Sequence, residues 1–255
     1  MIVRHTAEEP LNAVPQIPTV KGKEVVAPSD GMGYSAYEVV LGSDGNDVLE
    51  YGGSGSTSNH MYYCMEGSGK CVLANGKEIS VPSDFFMGFS SAVKCKITAS
   101  ESMRLFCVFC EDDDPSEDRV VVKSLSEVIG TDRDVDWGSG FSRRFLLRDD
   151  KFRVSVTLTS VFTRPETVKG VPMWYKHHKE TAYYINGNMT YQWEEGKQEA
   201  SFRPGGTAFM MNKNDPHRAL PKEGESLKLC VFYPALVGNE KHSFDAGYSV
   251  FPAPE

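Results

Sequence analysis

The 255-residue chain lacks any apolar run of about 18 residues, the length a membrane-spanning helix needs. A basic excess is missing too. Net charge is −8, so no nucleic-acid footprint is expected, and without an apolar span no membrane partner is expected either. The N-terminal stretch Met-Ile-Val-Arg-His-Thr-Ala-Glu-Glu has no apolar core of the kind a signal peptide carries. Cysteine pairing is scarce. The six cysteines (64, 71, 95, 107, 110 and 230) sit mostly inside apolar runs. Cys107-Val-Phe-Cys110 is the one C-x-x-C, and no second pair completes a zinc site. Because Leu105–Cys110 is wholly apolar, that pair reads as the end of a buried strand. Scattered thiols suit a reducing, cytoplasmic compartment. Helical periodicity is nearly absent. One short helix is expected at Ser124–Ile129, where Ser124 and Glu127 form a capping box and Gly130 can end it.

What is present is strand signal. Phe152, Val154, Val156 and Leu158 alternate with Arg153, Ser155, Thr157 and Thr159, the period of a half-buried strand. Asn186-Gly187 reads as a two-residue hairpin turn, and Glu195-Gly196 as a second turn. Short strands and tight turns point to an all-β chain of barrels or sandwiches.

The chain also repeats itself, with a period of about 120 residues. Asn59–Gly67 echoes Lys179–Gly187, and Asn75–Glu78 echoes Glu195–Gln198. Val81–Met87 echoes Arg203–Met210 with one residue fewer. Glu101–Phe109 echoes Glu225–Phe232. Matches in one order indicate a duplicated domain. The acidic run Glu111–Asp118, with Pro115, reads as an exposed join. Residues 1–30, with four prolines, look irregular, and can pack as an arm across the other half. The expected division is 1–110, a linker at 111–119, and 120–255.

Residues 174–220 concentrate the chemistry. Tight turns between strands would bring Tyr175, His178 and Glu180 near His217. Imidazole plus carboxylate in a barrel mouth suits a divalent first-row metal.

Two β-barrel repeats, with six residues between Glu180 and Gly187 and with Pro204-Gly205-Gly206 ahead of His217, resemble the cupin superfamily. The histidines of that superfamily's first motif are missing here; Trp174 and Lys176 stand near their places. A sharper resemblance covers nearly all of 120–250. It runs through Ile129–Val135, Ser142–Leu147, Tyr175-Lys176-x-His178-x-Glu180-x-x-Tyr183, Pro204-Gly205 and Asp215-x-His217. It continues through Leu229-Cys230-Val231-Phe232-x-Pro234, Gly238-x-Glu240-x-His242 and Gly247-Tyr248. This half resembles ectoine synthase, a cupin-fold family. Met1–Arg4, Asp30–Ser35 and Met103–Leu105 carry a weaker likeness in the first half.

The resemblance implies a tandem bicupin and a hydro-lyase. Its reaction closes N-acetyl-diaminobutyrate, an acetylated diamino acid, to the compatible solute ectoine, which serves osmoadaptation. It implies iron(II) held by Glu180 and His217, with zinc or manganese as alternatives. The third family ligand, a tyrosine, falls on Phe209, which cannot ligate. Catalytic roles fall on Tyr175, His178, Glu240 and His242. Substrate contacts fall on Arg144, Thr157, Thr159, Cys230 and Phe232. A family tryptophan falls on Phe141, and an asparagine-type position on Thr157. In the first half the glutamate position holds His60, the tyrosine position Phe86, the histidine position lies near Lys94, and Ser58 stands for His178. That half is expected to be structural, replacing the partner of a homodimer. Two other readings stay open. One is a related lyase or hydrolase acting on another amino-acid derivative. The other is a non-catalytic small-molecule-binding bicupin.

Overall fold

The computed structural model describes residues 1–137, 140–162, 173–222 and 224–236. The first half supplies β1 (Ile2–His5), β2 (Asn12–Val14), β3 (Ile17–Val26), β4 (Ser35–Leu41), β5 (Val48–Tyr51), β6 (Ser58–Glu66), β7 (Gly69–Leu73), β8 (Glu78–Val81), β9 (Phe85–Phe89), β10 (Cys95–Ala99) and β11 (Met103–Glu111). The second supplies β12 (Val120–Ser124), α1 (Leu125–Val128), β13 (Asp134–Asp136), β14 (Gly140–Leu146), β15 (Ser155–Phe162), β16 (Lys179–Asn186), β17 (Met189–Trp193), β18 (Gln198–Ser201), β19 (Thr207–Met211), β20 (His217–Pro221) and β21 (Glu225–Tyr233).

Each half builds a large and a small sheet. The first pairs β12-β9-β6-β11-β4-β3-β2 with β5-β10-β7-β8. The second pairs β1-β19-β16-β21-β15-β14-β13 with β18-β17-β20. The halves exchange an edge strand: β1 lies on β19 of the later half, and β12 lies on β9 of the earlier one. Residues 1–30 are thus not irregular. They form β1 to β3, with β1 laid across the other half as an arm. The helix stands as expected, with Ser124 capping it and Glu127 closing the box.

Strand alternation divides the interior into three cores. Met61, Tyr63, Phe86, Phe106 and Val108 of the first large sheet pack with Phe145, Val156, Leu158, Tyr183, Met210 and Leu229 of the second. The opposite faces each fill their own barrel. Tyr62, Cys64, Met87, Phe89, Leu105 and Phe109 fill the first, and Ala182, Tyr184, Phe209, Cys230 and Phe232 line the second. Tyr183 and Tyr184 therefore serve opposite faces of β16. The shared core also holds a polar knot. Arg104 donates to Glu38 at 2.7 Å, Tyr183 donates to the same carboxylate, and Thr6 lies 3.3 Å from the Tyr183 hydroxyl.

Three local expectations are corrected. Asn186-Gly187 is not a hairpin, because β16 and β17 belong to different sheets. It is a corner, and only Gly187 takes positive φ, +112°. The polar face of β15 does not meet solvent: Ser155, Thr157 and Thr159 are buried, facing the second barrel's interior. The acidic join is not wholly exposed either. Asp112 is buried, accepts from the Ser91 amide at 2.9 Å and pairs with Arg119. The Glu195-Gly196 turn does join a paired hairpin, β17 to β18. Cys107 and Cys110 are free thiols buried in β11.

Candidate functional site

Register places the site. Across the second large sheet, Arg144, Thr157, Cys230, Ala182 and Phe209 stand in one row of directly paired residues. The row on one side holds Ser155, Phe232, Glu180 and Met211. The row on the other holds Ser142, Thr159, Lys228, Tyr184 and Thr207. Because side chains alternate, all three rows face the same barrel interior. Residues 73 positions apart in sequence become neighbours this way, as Thr157 and Cys230 do.

His217 enters from the small sheet, at the head of β20, and meets this face. Glu180 and His217 are 1% and 2% exposed. Glu180 Oε2 lies 3.8 Å from His217 Nε2. Those two atoms are both buried without a hydrogen-bond partner. His217 Nδ1 donates to the Asp215 carbonyl at 2.9 Å, which leaves the lone pair on Nε2. Burial lowers the imidazole below its ordinary value, against the raising pull of Glu180, so it is neutral near pH 7. A carboxylate lone pair and an imidazole lone pair thus face one another in a buried interior. An orphaned buried polar atom costs about 1–3 kcal/mol, and here there are two side by side. A divalent ion, bonding nitrogen or oxygen at about 2.0–2.2 Å, fits between them. The pair therefore suits a cation with two protein donors. Among the described residues no group of three His, Cys, Asp or Glu side chains completes the set.

Phe209, at the absent third ligand, is packed instead. Its ring stacks on Tyr191 at 4.3 Å, and Tyr191 in turn stacks on His217 at 5.4 Å. Tyr175 is buried and meets Phe232 edge-on at 4.8 Å. His178, 1% exposed, turns Nδ1 to the Pro234 carbonyl at 2.8 Å. Asn214 holds that segment through the carbonyls of Tyr175 and His178 at 2.6 and 3.0 Å. Thr157 and Thr159 hydroxyls lie 3.2 Å apart. Arg144 is 2% exposed. Burial pushes the Cys230 thiol up to about 12, so it is no thiolate near neutrality. Glu240 and His242 lie outside the described residues.

Some sequence assignments move. Phe141 points to the other face, where it meets Phe162 and Arg143. The indole beside the inner cluster is Trp137, whose ring lies against Gly140. The first half's counterparts also shift. Glu180 pairs with Met211 and His60 with Phe89, so Phe209 corresponds to Met87 rather than Phe86. By the same logic His217 corresponds to Cys95 rather than Lys94, because Trp193 pairs with His217 as Leu73 pairs with Cys95. Lys94 points outward and pairs with Glu50 at 2.5 Å. His60 is buried and partnered by Tyr62 at 3.1 Å and the Val93 carbonyl at 3.0 Å.

Sequence reasoning missed Lys228, Tyr191 and Tyr184. Lys228 is 4% exposed and donates to the Tyr191 hydroxyl at 2.9 Å; that hydroxyl also accepts from Tyr184 at 3.4 Å. Its ammonium lies 3.6 Å from Glu180 Oε1. Burial opposes its charge, yet the surrounding Cys230, Tyr184, Tyr191 and Glu180 outweigh burial and raise it well above the ordinary value. The available signal was its period-two spacing from Cys230 and Phe232.

A sequence-family model described as ectoine synthase matches residues 120–252. The chain belongs to the ectoine synthase family. An L-ectoine synthase of Desulfatibacillum aliphaticivorans is 36% identical over 134 residues, covering 51% of this chain and 98% of that protein. That of Oceanobacillus iheyensis is 33% identical over 129 residues, 51% of this chain and 96% of its own. Ectoine synthase family membership makes the chain a cyclodehydratase of the hydro-lyase type. The fold is shared more widely. Protein Ylba from E. coli aligns with a TM-score of 0.68 at 14% identity, over 94% of this chain and 92% of its own. A cupin 2 conserved barrel protein from Leptotrichia buccalis aligns at 0.57 and 15% identity, over 86% and 91%. Both fit an all-β tandem of two cupin barrels.

Proposed function

We propose that this chain closes N-acetyl-diaminobutyrate, or a close relative, to a cyclic amidine with loss of water, at a divalent-cation site held by Glu180 and His217. The observation that carries the reading is the pair of unpartnered lone pairs, Oε2 and Nε2, facing at 3.8 Å. Family membership supports the reaction class. When bound, the ion, iron(II) by resemblance with zinc or manganese as alternatives, supplies Lewis acidity toward an acyl oxygen.

The chain's own residues do the rest. His178 donates through Nδ1 to the Pro234 carbonyl, which fixes the ring so that Nε2 serves as the base that takes the attacking amine's proton. Glu240 and His242 are further bases on the family pattern. Arg144 grips the substrate carboxylate with its planar fork. The Thr157 and Thr159 hydroxyls orient the substrate's polar groups, while Tyr175, Phe232 and the protonated Cys230 exclude water. Folding the substrate so that its amine meets its own amide removes an entropic barrier worth up to roughly 7–11 kcal/mol.

In this reading residues 120–255 are catalytic, 111–119 a linker, and 1–110 a structural partner standing in for the second subunit of a homodimer. The shared core and exchanged edge strands support that division.

The test is direct. The purified chain, given N-acetyl-diaminobutyrate and iron(II), should yield ectoine. Glu180→Ala and His217→Ala should each abolish turnover, and His60→Ala should not. Equal losses from all three would sink the division of labour. A second reading, the same chemistry on another amino-acid derivative, is favoured by Phe209, Tyr191 and Lys228 around the pair. Metal uptake without ectoine formation would select it.

A further inference from the structure

Lys228 has no role in the reaction described above, yet it stands beside the ion site. It faces the barrel interior from β21, two residues before Cys230. Its ammonium lies 5.7 Å from the ring centres of both Tyr184 and Tyr191 and donates to the Tyr191 hydroxyl. The Glu180 carboxylate is divided: Oε1 turns to the ammonium at 3.6 Å and Oε2 to His217 at 3.8 Å. A divalent ion at Oε2 would share one carboxylate with a fixed monovalent cation. Three positive charges would then face one negative charge, in an interior where charges are weakly screened. Phe209 supplies no anion to redress the balance.

We propose that Lys228 is a positioning residue that serves as a second, fixed cation of the Glu180–His217 site and competes with the divalent ion for the glutamate. The inference rests on the reading of that pair as a divalent-ion site. Lys228 holds Glu180 in place when no ion is bound, and it weakens the ion when one enters. Removing its charge therefore tightens ion binding.

The experiment is calorimetric titration of the full chain with manganese(II) alone. Lys228→Met should bind at least about tenfold more tightly than the wild type. Lys228→Arg, which keeps the charge, should stay within about threefold of the wild type. Adding Glu180→Gln to Lys228→Met should abolish uptake. Lys228→Gln, which keeps a donor for Tyr191, should tighten binding like the methionine variant and carries the test if that variant does not fold. Affinity unchanged or weakened in the neutral variants, with the wild type binding, overturns the proposal and leaves the ion site standing. No uptake by the wild type or any neutral variant overturns both.

Discussion

At the scale of single residues, burial decides what each ionisable group can do. His60 shows this most plainly. Burial lowers its imidazole to about 4, against the raising effect of its backbone partners. The folded chain keeps it neutral where the unfolded chain, near 6.5, protonates it. Its stabilising contribution is therefore complete above about pH 6.5 and is lost as pH falls toward 4, by about 3 kcal/mol in all. Denaturant unfolding at pH 7, 6 and 5 should show a shallower decline in His60→Gln than in the wild type. Parallel declines would mean that the ring is not held neutral. Lys228 illustrates why part of the site was hidden from sequence. A lysine in a strand ordinarily marks the solvent face. Only the row it shares with Tyr184 and Thr159 shows that it points inward. Glu180 and His217, by contrast, were legible from their motif.

At the scale of elements, alternation carries most of the information and a single slip corrupts it. Shifting a strand by one residue moves every side chain to the other face. Placing one residue fewer in β9 exchanged Phe86, which packs between the halves, for Met87, which lies inside its barrel. Alternation kept in register across β15 and β21 puts Thr157, Thr159, Cys230 and Phe232 on one face, positions that the sequence offered only through the family resemblance. The Asn186-Gly187 corner was misread for a different reason. Turn chemistry reports local φ, not which sheet the next strand joins. The corner itself is tight: a Cβ on Gly187 would fall 2.2 Å from Ser226 Oγ. Gly187→Ala should destabilise the fold by at least about 1–3 kcal/mol, from strain and collision together. Gly130→Ala, also at positive φ (+78°) but facing open space, should cost about 1 kcal/mol. Chemical denaturation of both variants checks the contrast, and equal costs would contradict it.

At the scale of the molecule, the central core belongs to neither half alone. Isolating residues 120–255 would expose Phe145, Val156, Leu158 and Met210 and strip β1 from β19. It would also leave β12 without β9. Such a fragment should associate with itself or aggregate, as sedimentation would show. A soluble, monomeric, fully active fragment would contradict the partner role given to the first half. The duplication was legible in the chain because co-linear echoes survive divergence. An arm from residues 1–30 across the other half was legible too, but its pairing as β1 on β19 and the return of β12 to β9 were not, since both are short edges whose partners lie in the other half.

Two lone pairs sharing one cation stand at the centre of the proposed chemistry. Crystals of the full chain soaked in manganese(II), with anomalous diffraction measured at the manganese edge, test it most directly. A single strong peak should lie within about 2.5 Å of both Glu180 Oε2 and His217 Nε2. A peak elsewhere in the barrel, or none in a crystal that holds manganese at other sites, would contradict it.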